Sequence, residues 1–258
     1  MHEDVVVGEF THQAAAFDRA PVMSSAETLG VLVELVREIA GRRWLDAACG
    51  TGIVTRAIAV ELEEVVGVDL TAAMLDVARR EACAAGLSNA RFELGDATAL
   101  EFPDGSFDGA ATRFSLHHIP APGRVVRELA RVVRPGGCVI LADHAADEDA
   151  AAAAWHHEIE RLRDPSHWSC LTPARIRALG EAAGLELEEE RLIPFGLDFD
   201  EWLARSTGGP GATELISSCV AERPAGASAF KVIDTEAGRR LELEYSLTRW
   251  RRPLRASS

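Results

Sequence analysis

The segment Leu45-Asp46-Ala47-Ala48-Cys49-Gly50-Thr51-Gly52 joins a carboxylate to closely spaced glycines. Glycine lets a backbone pass against a ligand, and amides at a following helix N-terminus can receive a polar group. Such a turn alone equally describes an ordinary connection from strand to helix. Asp69 closes the next apolar run, where a carboxylate can accept both hydroxyls of a ribose. Asp96, within Gly95-Asp96-Ala97, can accept the exocyclic amine of an adenine while its small neighbours admit the ring. Either acid could cap a helix instead; together they outline an adenosine pocket. A dinucleotide would use the same pocket, but its GxGxxG fingerprint requires a small residue where this chain has Thr55.

These residues need strands to present them. Trp44 to Ala48, EVVGVDL, ARFELGDA, FDGAATRFSLHH and CVILADH read as five apolar strands. Between them TGIVTRAIAV, TAAMLDVARREACAAG and APGRVVRELARVVRPGG read as helices, the second closed by Gly86 and the third by Pro-Gly-Gly. Strands alternating with helices imply an α/β fold with a parallel sheet covered on both faces, and the glycine turn and both acids fall at carboxyl ends of strands. Before this core, Leu29, Leu32, Val33, Val36 and Ile39 have helical spacing, with Ser24 or Ser25 as N-cap. After it come two helical stretches, one from Ala150 to Arg163 and one in TPARIRALGEAAG, and the strand-like LELEEERLIPF. LELEYSLTRW alternates as a half-exposed antiparallel strand at or near the sheet edge would. Residues 1–258 are expected to form one domain: an N-terminal helical segment at 1–42, a core at 43–145, and caps at 146–172 and 196–235 that include Gly208, Gly209, Pro210 and Gly211.

Composition narrows the partners. A chain of 258 residues with 47% apolar side chains can bury a core of this size. A formal charge of −14 repels phosphate backbones and anionic lipid, which argues against nucleic acid. Lys231 is the only lysine, and the densest basic cluster, Arg249, Arg251, Arg252 and Arg255 around Trp250, reads as a solvated chain end. Five cysteines without a CxxC pair, and no HExxH spacing, signal neither a disulfide framework nor a metal site. No run approaches the roughly 18 apolar residues of a membrane span, and MHEDVVVGEF has acids where a signal peptide carries bases. A cytoplasmic protein, monomer or homodimer, is expected.

LDAACGTG, VVGVDLTAAMLDVAR, GDATALEFPDGSFD, RFSLHHIPAPGRVVRELARVVRPGG and the leading FTHQAAAFDRA together resemble the class I, UbiE-like S-adenosylmethionine-dependent methyltransferases over residues 10 to 145. The resemblance implies a Rossmann-like seven-stranded, mostly parallel sheet with one antiparallel strand, and S-adenosylmethionine across the strand ends. On that pattern Asp46, Gly50 and Gly52 would contact the methionine part, Asp69 and Leu70 the ribose, and Asp96 and Ala97 the adenine. Met74 would pack near the adenosine, Thr112 and Phe114 would lie beside the sulfonium, and Phe17 would close over the cofactor. Ala48 departs from the pattern, standing where the family commonly has the first glycine of its turn.

A sulfonium is already a good leaving group, so displacement mainly needs a nucleophile held near the methyl with water excluded. An acceptor that carries a proton also needs a base. His117 and His118, just past the fourth strand, and His144, after the fifth, are the catalytic candidates, although a histidine there could simply pack in a turn. In this family the insertion after the fifth strand often roofs the acceptor, which points to His157 and, in a segment resembling one that recurs among relatives, to Arg163, Asp164 and His167. The acceptor is expected to be a small molecule. A cyclase of the same fold that retains the cofactor, or a binding module without turnover, would share the pocket.

Overall fold

The computed structural model describes residues 2–18, 25–39, 41–209, 211–236 and 238–254. In chain order the elements are α1 (His2–Phe17), a π-helical turn (Ala26–Gly30), α2 (Val31–Glu38), β1 (Arg43–Ala47), α3 (Ile53–Ala59), β2 (Glu64–Asp69), α4 (Ala72–Ala84), β3 (Ala90–Leu94) and β4 (Phe107–Arg113). A 3-10 turn (Leu116–His118) leads to α5 (Pro122–Val132), β5 (Val133–His144), α6 (Ala150–Arg163), α7 (Pro173–Ala182) and β6 (Glu186–Asp198). The chain ends with α8 (Phe199–Ala204), α9 (Ala212–Ala221), β7 (Phe230–Thr235) and β8 (Gly238–Arg251).

The sheet order is β3-β2-β1-β4-β5-β8-β6, with β7 paired to β8 beside that path. β1 to β5 are mutually parallel, and β8 runs antiparallel to both β5 and β6. The seven-stranded path with one reversed strand is therefore present, and the short β7 adds an eighth strand. Alternation along the strands feeds two cores: Trp44, Val65 and Ile140 face α2, α3 and the cap, while Leu45, Val66, Val139 and Leu141 face α5 and α7. On α5, Val125, Val126, Leu129 and Val132 form the buried stripe of an amphipathic helix.

Several boundaries differ from the sequence reading. The fourth strand stops at Arg113, because a 3-10 turn takes up Leu116–His118. α5 stops at Val132, ahead of Pro-Gly-Gly, and those residues extend β5: a Cβ on Gly137 would stand 2.4 Å from the Asp108 carbonyl oxygen. The helix at 26–38 opens with a π turn, and Ser25 provides no side-chain cap; Ser24 lies outside the described residues. β8 is not half-exposed, since Tyr245, Ser246, Leu247 and Thr248 are fully buried between β5 and β6. Thr248 is satisfied internally, accepting from Trp250 Nε1 at 2.7 Å, whereas the Ser246 hydroxyl is buried without a hydrogen-bond partner. The basic cluster is likewise no solvated end. Arg249 donates to Glu38 at 2.9 Å and Arg252 to the Arg131 carbonyl at 2.7 Å, while Arg255 lies outside the described residues.

Candidate functional site

The strand order turns back on itself between β1 and β4, and there the carboxyl ends open into a cleft. Asp46, at the end of β1, is buried and accepts Thr55 N–H at 2.9 Å and Thr55 Oγ1–H at 2.6 Å, both on Oδ2. The position that excludes a dinucleotide fingerprint thus caps α3 through Asp46. Burial pushes the Asp46 carboxyl up to about 7 against those two hydrogen bonds. Asp69, at the end of β2, accepts Gly50 N–H at 2.8 Å and Thr71 N–H at 2.8 Å, and burial raises its pKa as well. Asp96, beyond β3, accepts Thr98 N–H at 2.7 Å and Thr98 Oγ1–H at 2.7 Å.

The turn itself is tight. Gly50 and Gly52 have φ of 54° and 75°, the left-handed region that glycine enters freely, and Ala48 is drawn into it at 54°. Its amides are already committed: Cys49 N–H donates to Val68 O, Gly50 N–H to Asp69, and Gly52 N–H to Cys49 O. Three acids and few free amides suit a ligand carrying positive charge and hydroxyls, and disfavour a pyrophosphate. Thr51 lines the cleft, and its buried Oγ1 has no hydrogen-bond partner.

Ala48, Gly50, Asp69, Leu70, Met74, Asp96, Ala97, Phe114 and Phe17 all line this cleft, about 220 Å³ in volume. Two of the expected cofactor residues do not. Gly52 lies behind the wall, where a Cβ would stand 2.6 Å from the Phe92 ring, so its role is to pack the turn against β3. Thr112 is fully buried within the sheet and its hydroxyl bonds to Ala47 O at 2.9 Å and Ser115 Oγ at 2.5 Å; Arg113, Phe114 and Ser115 face the cleft instead.

A second cavity, about 370 Å³, adjoins the first, and Phe10, Phe17, Phe114 and His118 line both. Phe114 has φ of 51°, a strained value for a bulky side chain, held by the Arg113 guanidinium 4.6 Å from its ring and by Tyr245 at 5.2 Å. His117, His118, His144, Arg163, Asp164 and His167 all line the second cavity. His157 does not; it sits on α6 with its ring 5.2 Å from that of His167.

His118 Nδ1 stands 3.0 Å from Ser166 Oγ, which donates to Asp164 Oδ1 at 2.6 Å. Because the serine hydroxyl hydrogen is committed to the carboxylate, Nδ1–H is the donor to Ser166 Oγ, leaving Nε2 as the acceptor. His117 Nδ1 is bonded to Asp143 Oδ1 at 2.6 Å. Burial, with the neighbouring histidines, lowers the pKa of His117 and His167 and keeps them neutral. Burial would push Glu160 up, but the neighbouring His156, 3.8 Å from Glu160 Oε1, and Arg163 outweigh it and hold the carboxylate well below its ordinary range.

The sequence reading gave no site role to Ser166, Glu160 or Arg205. Ser166 lies inside the RDPSH segment and Glu160 on the already suspect helix, so chain proximity was the available signal. Arg205 reaches the cavity only because α8 folds back over it, and burial together with Arg163 lowers its pKa.

Comparison with known proteins bears on the family and the fold. The family model described as "Methyltransferase domain" matches residues 45–141. An uncharacterized methyltransferase of Bacillus subtilis, YcgJ, is 33% identical over 205 residues, covering 80% of this chain and 81% of that protein. The crystal structure of YcgJ superposes with a TM-score of 0.81 at 28% identity, covering 87% of this chain and 97% of that one. The uncharacterized protein YafE of Escherichia coli is 33% identical over 151 residues, 58% of this chain and 73% of its own. A demethylmenaquinone methyltransferase of Clavibacter sepedonicus is 34% identical over 138 residues, covering 52% of this chain and 56% of that protein. Fold and site define a Rossmann-like methyltransferase. The chain belongs to the class I, UbiE-like S-adenosylmethionine-dependent methyltransferases. Among the described residues, no helix is long and apolar enough to cross a membrane.

Proposed function

We propose that this chain transfers a methyl group from S-adenosylmethionine, held in the acid-rich cleft, to a small acceptor in the histidine-rich cavity beside it. The observation that carries the reading is the shared wall: Phe10, Phe17, Phe114 and His118 belong to both spaces, so groups bound in each meet there. Asp46 would hold the methionine ammonium, Asp69 the ribose hydroxyls and Asp96 the adenine amine, with Met74 and Ala97 against the adenosine. Bound there, the cofactor supplies an electrophilic methyl on a sulfonium that leaves as a neutral thioether. Phe17 and Phe114 exclude water around the reacting atoms, which favours displacement over hydrolysis.

We assign proton removal from the acceptor to His118. It alone of the three candidate histidines reaches both cavities, and the Asp164–Ser166 relay presents its unprotonated Nε2. Arg163 and Arg205 line the acceptor cavity and favour an acceptor with an ionisable oxygen. A soluble secondary metabolite fits a cavity of this size better than a lipid quinone, and a cytoplasmic location fits five free cysteines. Incubation with S-adenosylmethionine and a panel of phenols, enols and hydroxy acids, followed by mass spectrometry, tests the reading. A gain of one methyl supports it. Rearrangement at constant mass identifies a cyclase instead, and no change in any acceptor identifies a binding module.

A further inference from the structure

We propose that His117, His144 and His167 form a binding site for one divalent transition-metal ion of the zinc type on the wall of the acceptor cavity. The three imidazoles come from three separate segments: the 3-10 turn after β4, the end of β5 and the loop after α6. One ring nitrogen of each lies within 4.8 Å of one of each of the others, and the residues are only 7%, 8% and 4% exposed. Nitrogens around a tetrahedral zinc stand roughly 3.4 Å apart at normal bond lengths, a contraction that small side-chain rotations supply.

Two further observations point to a ligand. His144 Nε2 is buried without any hydrogen-bond partner, a costly state that coordination would relieve. His117 Nδ1 is bonded to Asp143 Oδ1, so its Nε2 is the free nitrogen, and Asp143 also accepts the backbone N–H of His117 and of His144. A carboxylate behind an imidazole is the outer-shell arrangement that orients a metal-bound histidine. The Asp143 carboxyl behind His117 and the Glu160 carboxyl on the cavity wall would balance a double positive charge. Three imidazoles without a thiolate select zinc, cobalt, nickel or ferrous iron over magnesium or calcium. Three protein ligands leave a fourth position open to the cavity. On the methyltransferase reading, that position would take an acceptor oxygen and lower its pKa. Spacing in the sequence hides the site because no two of these ligands are neighbours along one element.

Metal-stripped, untagged protein titrated with zinc in a calorimeter, and with cobalt(II) followed by visible absorption, tests the proposal. One equivalent should bind, His144→Gln and His167→Gln should weaken it at least 100-fold, and Cys170→Ser should leave it unchanged. Failure to take up one equivalent overturns the site. Retention in His144→Gln with loss in Cys170→Ser also overturns it, in favour of the adjacent His157, His167 and Cys170 cluster. Binding of S-adenosylhomocysteine by each variant confirms that it is folded. Absence of that binding in the parent protein would defeat the methyltransferase reading without touching the metal titration.

Discussion

The carboxylate of Asp69 at the end of β2 accepts the backbone N–H of Gly50 in the β1–α3 turn at 2.8 Å. One contact thereby ties the acid expected to read a ribose to the loop expected to cradle the rest of the cofactor. Asp69→Ala should weaken S-adenosylhomocysteine binding about 10- to 100-fold, the worth of one or two charged hydrogen bonds. Calorimetry checks it, and unchanged affinity would remove Asp69 from the ribose.

Asp46 makes binding pH-dependent. Its folded pKa of about 7 is above the unfolded value, so the folded state holds the proton more tightly and stability falls as pH rises from about 4 through 7. A cationic ammonium prefers the ionised carboxylate. Cofactor affinity should therefore rise with pH up to about 7, with proton release near pH 6.5, measurable as heats that differ between buffers of unlike ionisation enthalpy. Asp46→Asn should abolish that difference.

Ala48 sits at a backbone angle that glycine adopts without strain. Ala48→Gly should relieve about 1 kcal/mol of strain, offset in part by the greater freedom of the unfolded chain. A thermal midpoint raised by roughly 1–3 °C is expected, and a lowered midpoint would contradict the strain.

The Asp164–Ser166–His118 relay separates proton removal from binding. His118→Asn should lower kcat about 100- to 10,000-fold on an acceptor that must lose a proton, with cofactor affinity nearly unchanged. Ser166→Ala should lower kcat less, with little change in KM, because it frees the imidazole tautomer rather than removing the base. An unaltered kcat in both variants would exclude the relay.

The acid-lined cleft was legible in the sequence because its parts are local. Each acid follows its own strand, so Asp46, Asp69 and Asp96 could be placed without tertiary knowledge, and the alternation of elements dictated the parallel order. Thr112 was misplaced by a single position, since period-two alternation turns it into the sheet while Arg113 and Phe114 face outward at the strand end. β8 departs from its alternating pattern because Ser246 and Thr248 look solvent-facing in a strand, yet both are buried between β5 and β6, where Thr248 Oγ1 donates to Leu141 O and accepts from Trp250 Nε1. The histidine wall was legible only piecemeal: His117, His144 and His167 converge through loop geometry that no spacing rule encodes.

The central claim, that one cleft binds a nucleoside bearing a cationic sulfur, is tested most directly by titrating the purified protein with S-adenosylmethionine, S-adenosylhomocysteine and NADH. The account predicts one-to-one binding of the first two and none of the third. Uptake of the dinucleotide with no heat from either sulfur nucleoside would contradict it.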